Sequence, residues 1–247
     1  MNGTTIIVLH DVGLDGSSFS SQIASLGAEY GVHCWDMPGH GRSTLQGASD
    51  LTRLLDAAAS SIRAATSNDR LVVVGHGFGG VVAQLLAERF DHRILGLVLS
   101  SSPIIGQHEP VRSSLPGVSW HGPIGKALWG RRYLRLASRA SHTLGGQAYV
   151  KLCLQRLGSE AYAERMQLWR EASMPGPVTP PDMPLLLVHG AEAICPAWNE
   201  PAKRLVATNP NVTLRRISGA GALVQMGHPA AFNEALSGFL GRVRALS

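Results

Sequence analysis

Cysteine is scarce in this chain. Only Cys34, Cys153 and Cys195 occur among 247 residues, widely spaced and with no Cys-x-x-Cys pair. That spacing argues against a disulfide framework or a cysteine-rich metal site and favours a reducing compartment. Long apolar runs are also missing, since none reaches the roughly 18 residues of a membrane span. The first residues lack the basic stretch and small-residue cleavage site of a secretory signal. A cytoplasmic location without a membrane partner is therefore expected. No phosphate-cradling glycine loop, dinucleotide fingerprint or metal-ligand spacing is found, so neither a cofactor nor a metal is expected. Basic modules interleaved with aromatics are absent too, which argues against nucleic acid. There is no internal repeat and no low-complexity tract.

What is present is a globular composition, 45% hydrophobic and 16% charged. It is long enough for one substantial domain with an insertion. Lysine stands only at Lys126, Lys151 and Lys203, and the other nineteen basic residues are arginine. With abundant Ala and Gly, that bias suggests a high-GC bacterial genome. The net charge of +5 is unevenly placed: ten basic and five acidic residues between Ile104 and Met183 carry all of it. This stretch reads either as a solvated helical surface or as an attractor of an anionic substrate or an acidic carrier protein.

Short apolar strands alternate with helical segments, the pattern of a mostly parallel sheet covered on both faces. Strands are expected at Thr4–Leu9, Gly31–Asp36, Leu71–Val74, Arg93–Ser100, Pro184–His189 and Val212–Ile217. Helices are expected near Ser17–Glu29, Asp50–Ala65 with Asp50 as cap, Val81–Arg89, Asn199–Ala207 and Ala230–Ala245. The alternation breaks for about eighty residues. Helical stretches near Ile124–Ala140, Gly146–Leu157 and Ala161–Ala172 follow there without a strand, closed by the Pro-rich run Met174–Asp182. The expected division is a core of residues 1–103 and 184–247 with a helical lid at 104–183.

Three motifs carry chemical information. Leu9-His10-Asp11-Val12-Gly13 ends the first strand. Asp36-Met37-Pro38-Gly39-His40-Gly41-Arg42-Ser43 ends the second. Gly75-His76-Gly77-Phe78-Gly79-Gly80 stands between the third strand and a helix. Strand, Gly-x-nucleophile-x-Gly turn, then helix is the nucleophile elbow, in which small residues permit a strained turn and close packing. Taken in order, the motifs resemble the α/β-hydrolase superfamily over nearly the whole chain. The resemblance implies the α/β-hydrolase fold, a mostly parallel sheet with helices on both faces and an inserted helical lid. It also implies an oxyanion hole formed by the backbone amides of Val12 and Phe78.

The same resemblance places the nucleophile at Gly77, the acid at Ala193 and the histidine at Ala222. Serine, acid and base are thus all missing, and acyl transfer through a Ser-His-Asp triad requires each of them. Gly77 is expected to leave added space above the elbow. Asp11 stands where the family prefers glycine, and is either a loop cap or a carboxylate facing that space with a raised pKa. His10 and His76 are held beside it as candidate catalytic groups, each with a structural alternative. Trp120, Trp129 and Tyr133, with Trp169, are expected to line a ligand pocket under the lid or to pack it.

The expected function is a cofactor-independent, non-hydrolytic enzyme. It would do cyclase, isomerase, dehydratase or lyase-type proton-transfer chemistry on a hydrophobic, carbonyl-containing, polyketide-like natural product, free or carrier-bound. Two alternatives stand beside it: a catalytically silent homologue binding a ligand or partner, and an esterase-like hydrolase inactivated at its triad.

Overall fold

The computed structural model describes residues 3–44, 50–67, 70–90, 93–106, 141, 143–173, 182–193 and 199–246. Six strands form one parallel sheet: β1 (Thr5–Leu9), β2 (Gly31–Trp35), β3 (Leu71–His76), β4 (Ile94–Ser100), β5 (Leu185–Gly190) and β6 (Val212–Ile217), in the order β2-β1-β3-β4-β5-β6. The expected α/β-hydrolase fold is present.

Successive strand residues point to opposite faces, and here both faces are covered, so the central strands are apolar throughout. Ile7, Leu9, Val73, Leu97, Leu99 and Leu187 pack to one side, against α2 (Leu51–Ala65) and α3 (Phe78–Phe90). Ile6, Val8, Val72, Val74, Val98 and Leu186 pack to the other, against Phe232, Leu236, Phe239 and Val243 of the C-terminal helix Pro229–Leu246. The apolar stripe of α2 is Leu54, Leu55, Ala58, Ala59 and Ile62, and Asp50 caps it by accepting the Arg53 amide at 2.9 Å.

Two helices are described between β4 and β5, in the stretch expected to form a lid: α4 (Leu144–Leu157) and α5 (Ser159–Ala172). The expected helix near Ile124–Ala140 lies outside the described residues. Some boundaries differ from the sequence reading. The first helix, α1, is Ser20–Leu26, preceded by a 3-10 turn at Gly16–Phe19, and α3 begins at Phe78 rather than Val81. The glycines of the elbow already adopt the first helical turn there, which residue propensity does not register. No helix among the described residues is long and apolar enough to cross a membrane.

Candidate active site

The site is built by register. β1 and β3 run side by side with Leu9 opposite Gly75, so Asp11 and Gly77, each two residues further on, leave the sheet at the same carboxyl edge. Open parallel sheets bind ligands at that edge. Gly77 holds φ at +54°, a left-handed conformation that favours glycine. A side chain at Gly79 would run into the carbonyl oxygens of Leu9 and His10, so the elbow rests directly on β1.

Asp11 occupies the centre of this arrangement. Its Oδ1 accepts the backbone N–H of Val12 at 2.8 Å and that of Phe78 at 2.7 Å. A β-carbon on Gly77 would fall within the Asp11 carboxylate. The expected open space above the elbow is therefore filled by the chain's own carboxylate, because its two-bond side chain spans the gap from β1 to the first amide of α3. The amides named as an oxyanion hole are those donating to Asp11. Burial pushes the Asp11 carboxyl up to about 6, against the opposing pull of the Phe78 and Val12 amides. The N-terminus of α3 adds a favourable dipole for the anion.

The candidate histidines have defined bonding. His10 is fully buried, and its Nε2 accepts the Met37 amide at 3.0 Å. Its proton therefore sits on Nδ1, which donates to the Asp11 carbonyl at 2.8 Å. Burial lowers its pKa, so the ring is neutral and tethers the Asp11 loop to the loop after β2. His40 repeats the device: Nε2 accepts the Gly13 amide at 3.1 Å, Nδ1 donates to the Pro38 carbonyl at 3.2 Å, and burial drives its pKa to about 3. His76 Nδ1 donates to the Ser100 carbonyl at 3.0 Å, and burial lowers its pKa to about 4. Both β3 and β4 are thereby braced behind the elbow.

Ala193 follows β5, its amide donating to the Gly190 carbonyl at 3.2 Å. Next to it, the Glu192 amide donates to the Ala220 carbonyl at 3.0 Å, joining this turn to the loop that carries Ala222 after β6. Neither alanine brings an ionisable group to the edge. Of the lid aromatics, Trp169 stacks at a tilt on Phe78, with ring centroids 6.2 Å apart. Trp120, Trp129, Tyr133 and Cys195 lie outside the described residues.

One polar cluster escaped the sequence reading. Tyr149 on α4 donates to Asp15 Oδ1 at 2.6 Å, the Ser17 amide donates to the same oxygen at 2.9 Å, and the Cys153 thiol approaches Oδ2 at 3.7 Å. Burial raises the Asp15 pKa, but the bonds from Tyr149 and Ser17 outweigh it and the net shift is downward. Burial holds the Cys153 thiol up at about 11, so it remains protonated. The available signal was Asp15-Gly16-Ser17-Ser18, a side-chain cap before a short helix. Val150 and Leu154 of the same helix pack on Leu14 and Leu223, which places α4 over the carboxyl edge of the sheet.

Residues 6–235 match the family described as "Alpha/beta hydrolase family". The chain belongs to that family. Among curated proteins it is similar to a pimeloyl-[acyl-carrier protein] methyl ester esterase of Vibrio campbellii, 29% identical over 47% of this chain and 44% of that protein. That alignment thus spans less than half of the relative's length. The enzyme of the same name from Pectobacterium atrosepticum is 25% identical over 96% of this chain and 94% of its own. Among solved structures, NosK from Streptomyces actuosus superposes with a TM-score of 0.69 at 20% identity, covering 98% of this chain and 99% of that one. At that identity the likeness concerns the fold. In this chain the turn between β3 and α3 carries glycine at position 77, with the Asp11 carboxylate against it.

Proposed function

We propose that this alpha/beta hydrolase is a cofactor-independent, non-hydrolytic enzyme in which Asp11 moves a proton on a hydrophobic carbonyl compound. The observation that carries this reading is the seat of the Asp11 carboxylate, held by the Val12 and Phe78 amides in the space any side chain at 77 would need. A seryl acyl-enzyme needs a hydroxyl at the elbow and a base to take its proton. Gly77 and Ala222, at the positions the family resemblance assigns to them, supply neither. A carboxylate with a pKa of about 6 is suited to proton transfer near neutrality.

With Oδ1 held by both amides, Oδ2 takes a proton from the carbon next to the carbonyl, and the electron pair left behind spreads onto the carbonyl oxygen. Return of the proton to a different atom gives isomerisation. Loss of a leaving group gives elimination, and attack on a second carbonyl carbon gives cyclisation. Because one carboxylate oxygen uses both amides, the substrate carbonyl finds its donors elsewhere in this scheme.

Two observations support a carrier-bound substrate. The curated relatives are named for an acyl-carrier-protein ester. Lys151, Arg156 and Arg170 stand exposed on α4 and α5, where an acidic carrier would meet them. A silent binding protein is the second reading, favoured by the fact that both amides are already satisfied from within. The inactivated-esterase reading has less support, because a serine at 77 would overlap Asp11, so the two positions fit as a pair.

The test is solvent-deuterium exchange by NMR into a panel of hydrophobic β-ketoacyl N-acetylcysteamine thioesters. Exchange above background that Asp11→Asn removes is expected. Stoichiometric labelling by a fluorophosphonate, or esterase turnover well above background, would contradict the reading. Tight binding of panel members with no exchange would move it to the binding protein.

A further inference from the structure

We infer that the floor of the site at Asp11 selects a hydrogen-donating group on an otherwise apolar ligand, an ammonium or a polarised N–H or O–H, and disfavours carboxylates and oxyanions. The inference rests on the reading of Asp11 as the working group of the site, and it names the ligand chemistry that reading leaves open. Two amides converging on an empty point form a positive seat for an oxyanion. Here the seat is taken, so its polarity toward a ligand is reversed.

Three observations carry the reversal. First, both amide bonds end on Oδ1, and among the described residues no donor bonds to Oδ2. Asp11 as a residue also remains partly exposed. Second, no Lys, Arg or His among the described residues forms an ion pair with the carboxylate, whose charge is held by amide dipoles alone. His10, the nearest in sequence, has both ring nitrogens committed to backbone and lies 4.0 Å from Asp36 instead. Third, the two residues whose amides hold the carboxylate carry apolar side chains buried in the core, Val12 and Phe78, with Trp169 packed on Phe78. A carboxylate without a counter-cation in apolar surroundings gains most from a cationic or strongly polarised donor, and an anionic ligand is repelled there with little screening.

The seat exists only because position 77 is glycine. Any β-carbon there would displace the Asp11 carboxylate and free the two amides. Residues 11 and 77 together therefore set the sign of the site.

The test is isothermal titration of the full chain at pH 7.5 with two probes of matched shape and opposite charge, 4-phenylbutylammonium and 4-phenylbutanoate. The expected result is that the ammonium binds tighter by about tenfold or more, the size of one modest charge-assisted contact. Asp11→Asn, which keeps an acceptor for both amides, should erase the preference. Asp11→Gly, which empties the seat, should reverse it. Circular dichroism confirms that each variant is folded, and should Asp11→Gly fail to fold, Asp11→Asn and the wild-type ratio still decide. Equal or tighter binding of the carboxylate by the wild type, no binding of either probe, or a preference that survives Asp11→Asn would overturn the inference. Absence of deuterium exchange in the wild type, with the ammonium preference intact, would sink the enzymatic reading alone.

Discussion

The carboxylate of Asp11 stands where a β-carbon on Gly77 would be, and the amide following that glycine, Phe78 N–H, donates to it at 2.7 Å. A carboxylate reaching from β1 and a side chain at the elbow are mutually exclusive. Each of the following expectations depends on that exclusion or on the scaffold that enforces it.

Gly77→Ser should not create a serine hydrolase. It places a β-carbon in the Asp11 carboxylate and forces a non-glycine residue to φ +54°. A loss of about 2–4 kcal/mol is expected from overpacking and left-handed strain. Combined with Asp11→Gly, the loss should shrink, giving a coupling of about 1–3 kcal/mol between these touching sites. Urea denaturation of the single and double variants measures it, and strict additivity would show that the two positions do not compete.

The stability of the wild type should fall, relative to Asp11→Asn, as pH rises from about 4 to about 6. The folded-state pKa of Asp11 is raised to about 6 from 3.8, so in that window the folded chain holds a proton that the unfolded chain has lost. Stability then declines with pH, by at most ~3 kcal/mol, and levels off above the folded pKa. His10, His40 and His76 are lowered by burial and act in the opposite sense, losing stability as pH falls below their unfolded value. The difference between the two proteins isolates Asp11. A flat difference across the window would contradict the burial of its charge.

Replacing His76 by Leu separates support from chemistry. The Ser100 carbonyl loses one of two donors and keeps the Gly77 amide at 3.0 Å, at a cost of about 0.5–1.5 kcal/mol. The pH profile of proton exchange should keep its midpoint, because the ring bonds to backbone and carries no charge near neutrality. A shifted midpoint would assign His76 a direct part in proton transfer.

Tyr149→Phe should loosen α4. It removes the 2.6 Å bond to Asp15, a charge-assisted contact worth about 1.5–3 kcal/mol. Hydrogen exchange along α4 should quicken while the core strands keep their protection. Unchanged protection of α4 would show that its packing on Leu14 and Leu223 suffices.

Much of this was legible in the sequence, because periodicity and turn chemistry act locally. The six strands fall where apolar runs lie, Asp50 caps α2, and Gly77 makes a left-handed turn between β3 and α3. Asp11 was identifiable as a carboxylate in a glycine's place. Its seat was not, since that depends on the register of β1 against β3, a pairing between segments over sixty residues apart. Sequence reasoning consequently gave the Val12 and Phe78 amides to a substrate oxygen and left the space at Gly77 open. The Tyr149–Asp15 latch was hidden for a like reason, as its partners are 134 residues apart. The short helix Val224–Gly227 was too brief for any period to reveal.

The most direct test of the account is a 13C and 15N NMR titration that follows the Asp11 carboxyl carbon together with the amides of Val12 and Phe78. A single midpoint near 6 shared by all three signals is expected, with the amide transitions lost in Asp11→Asn. A carboxyl midpoint near the unperturbed 3.8, with both amides indifferent to it, would contradict the seating of Asp11 at the elbow.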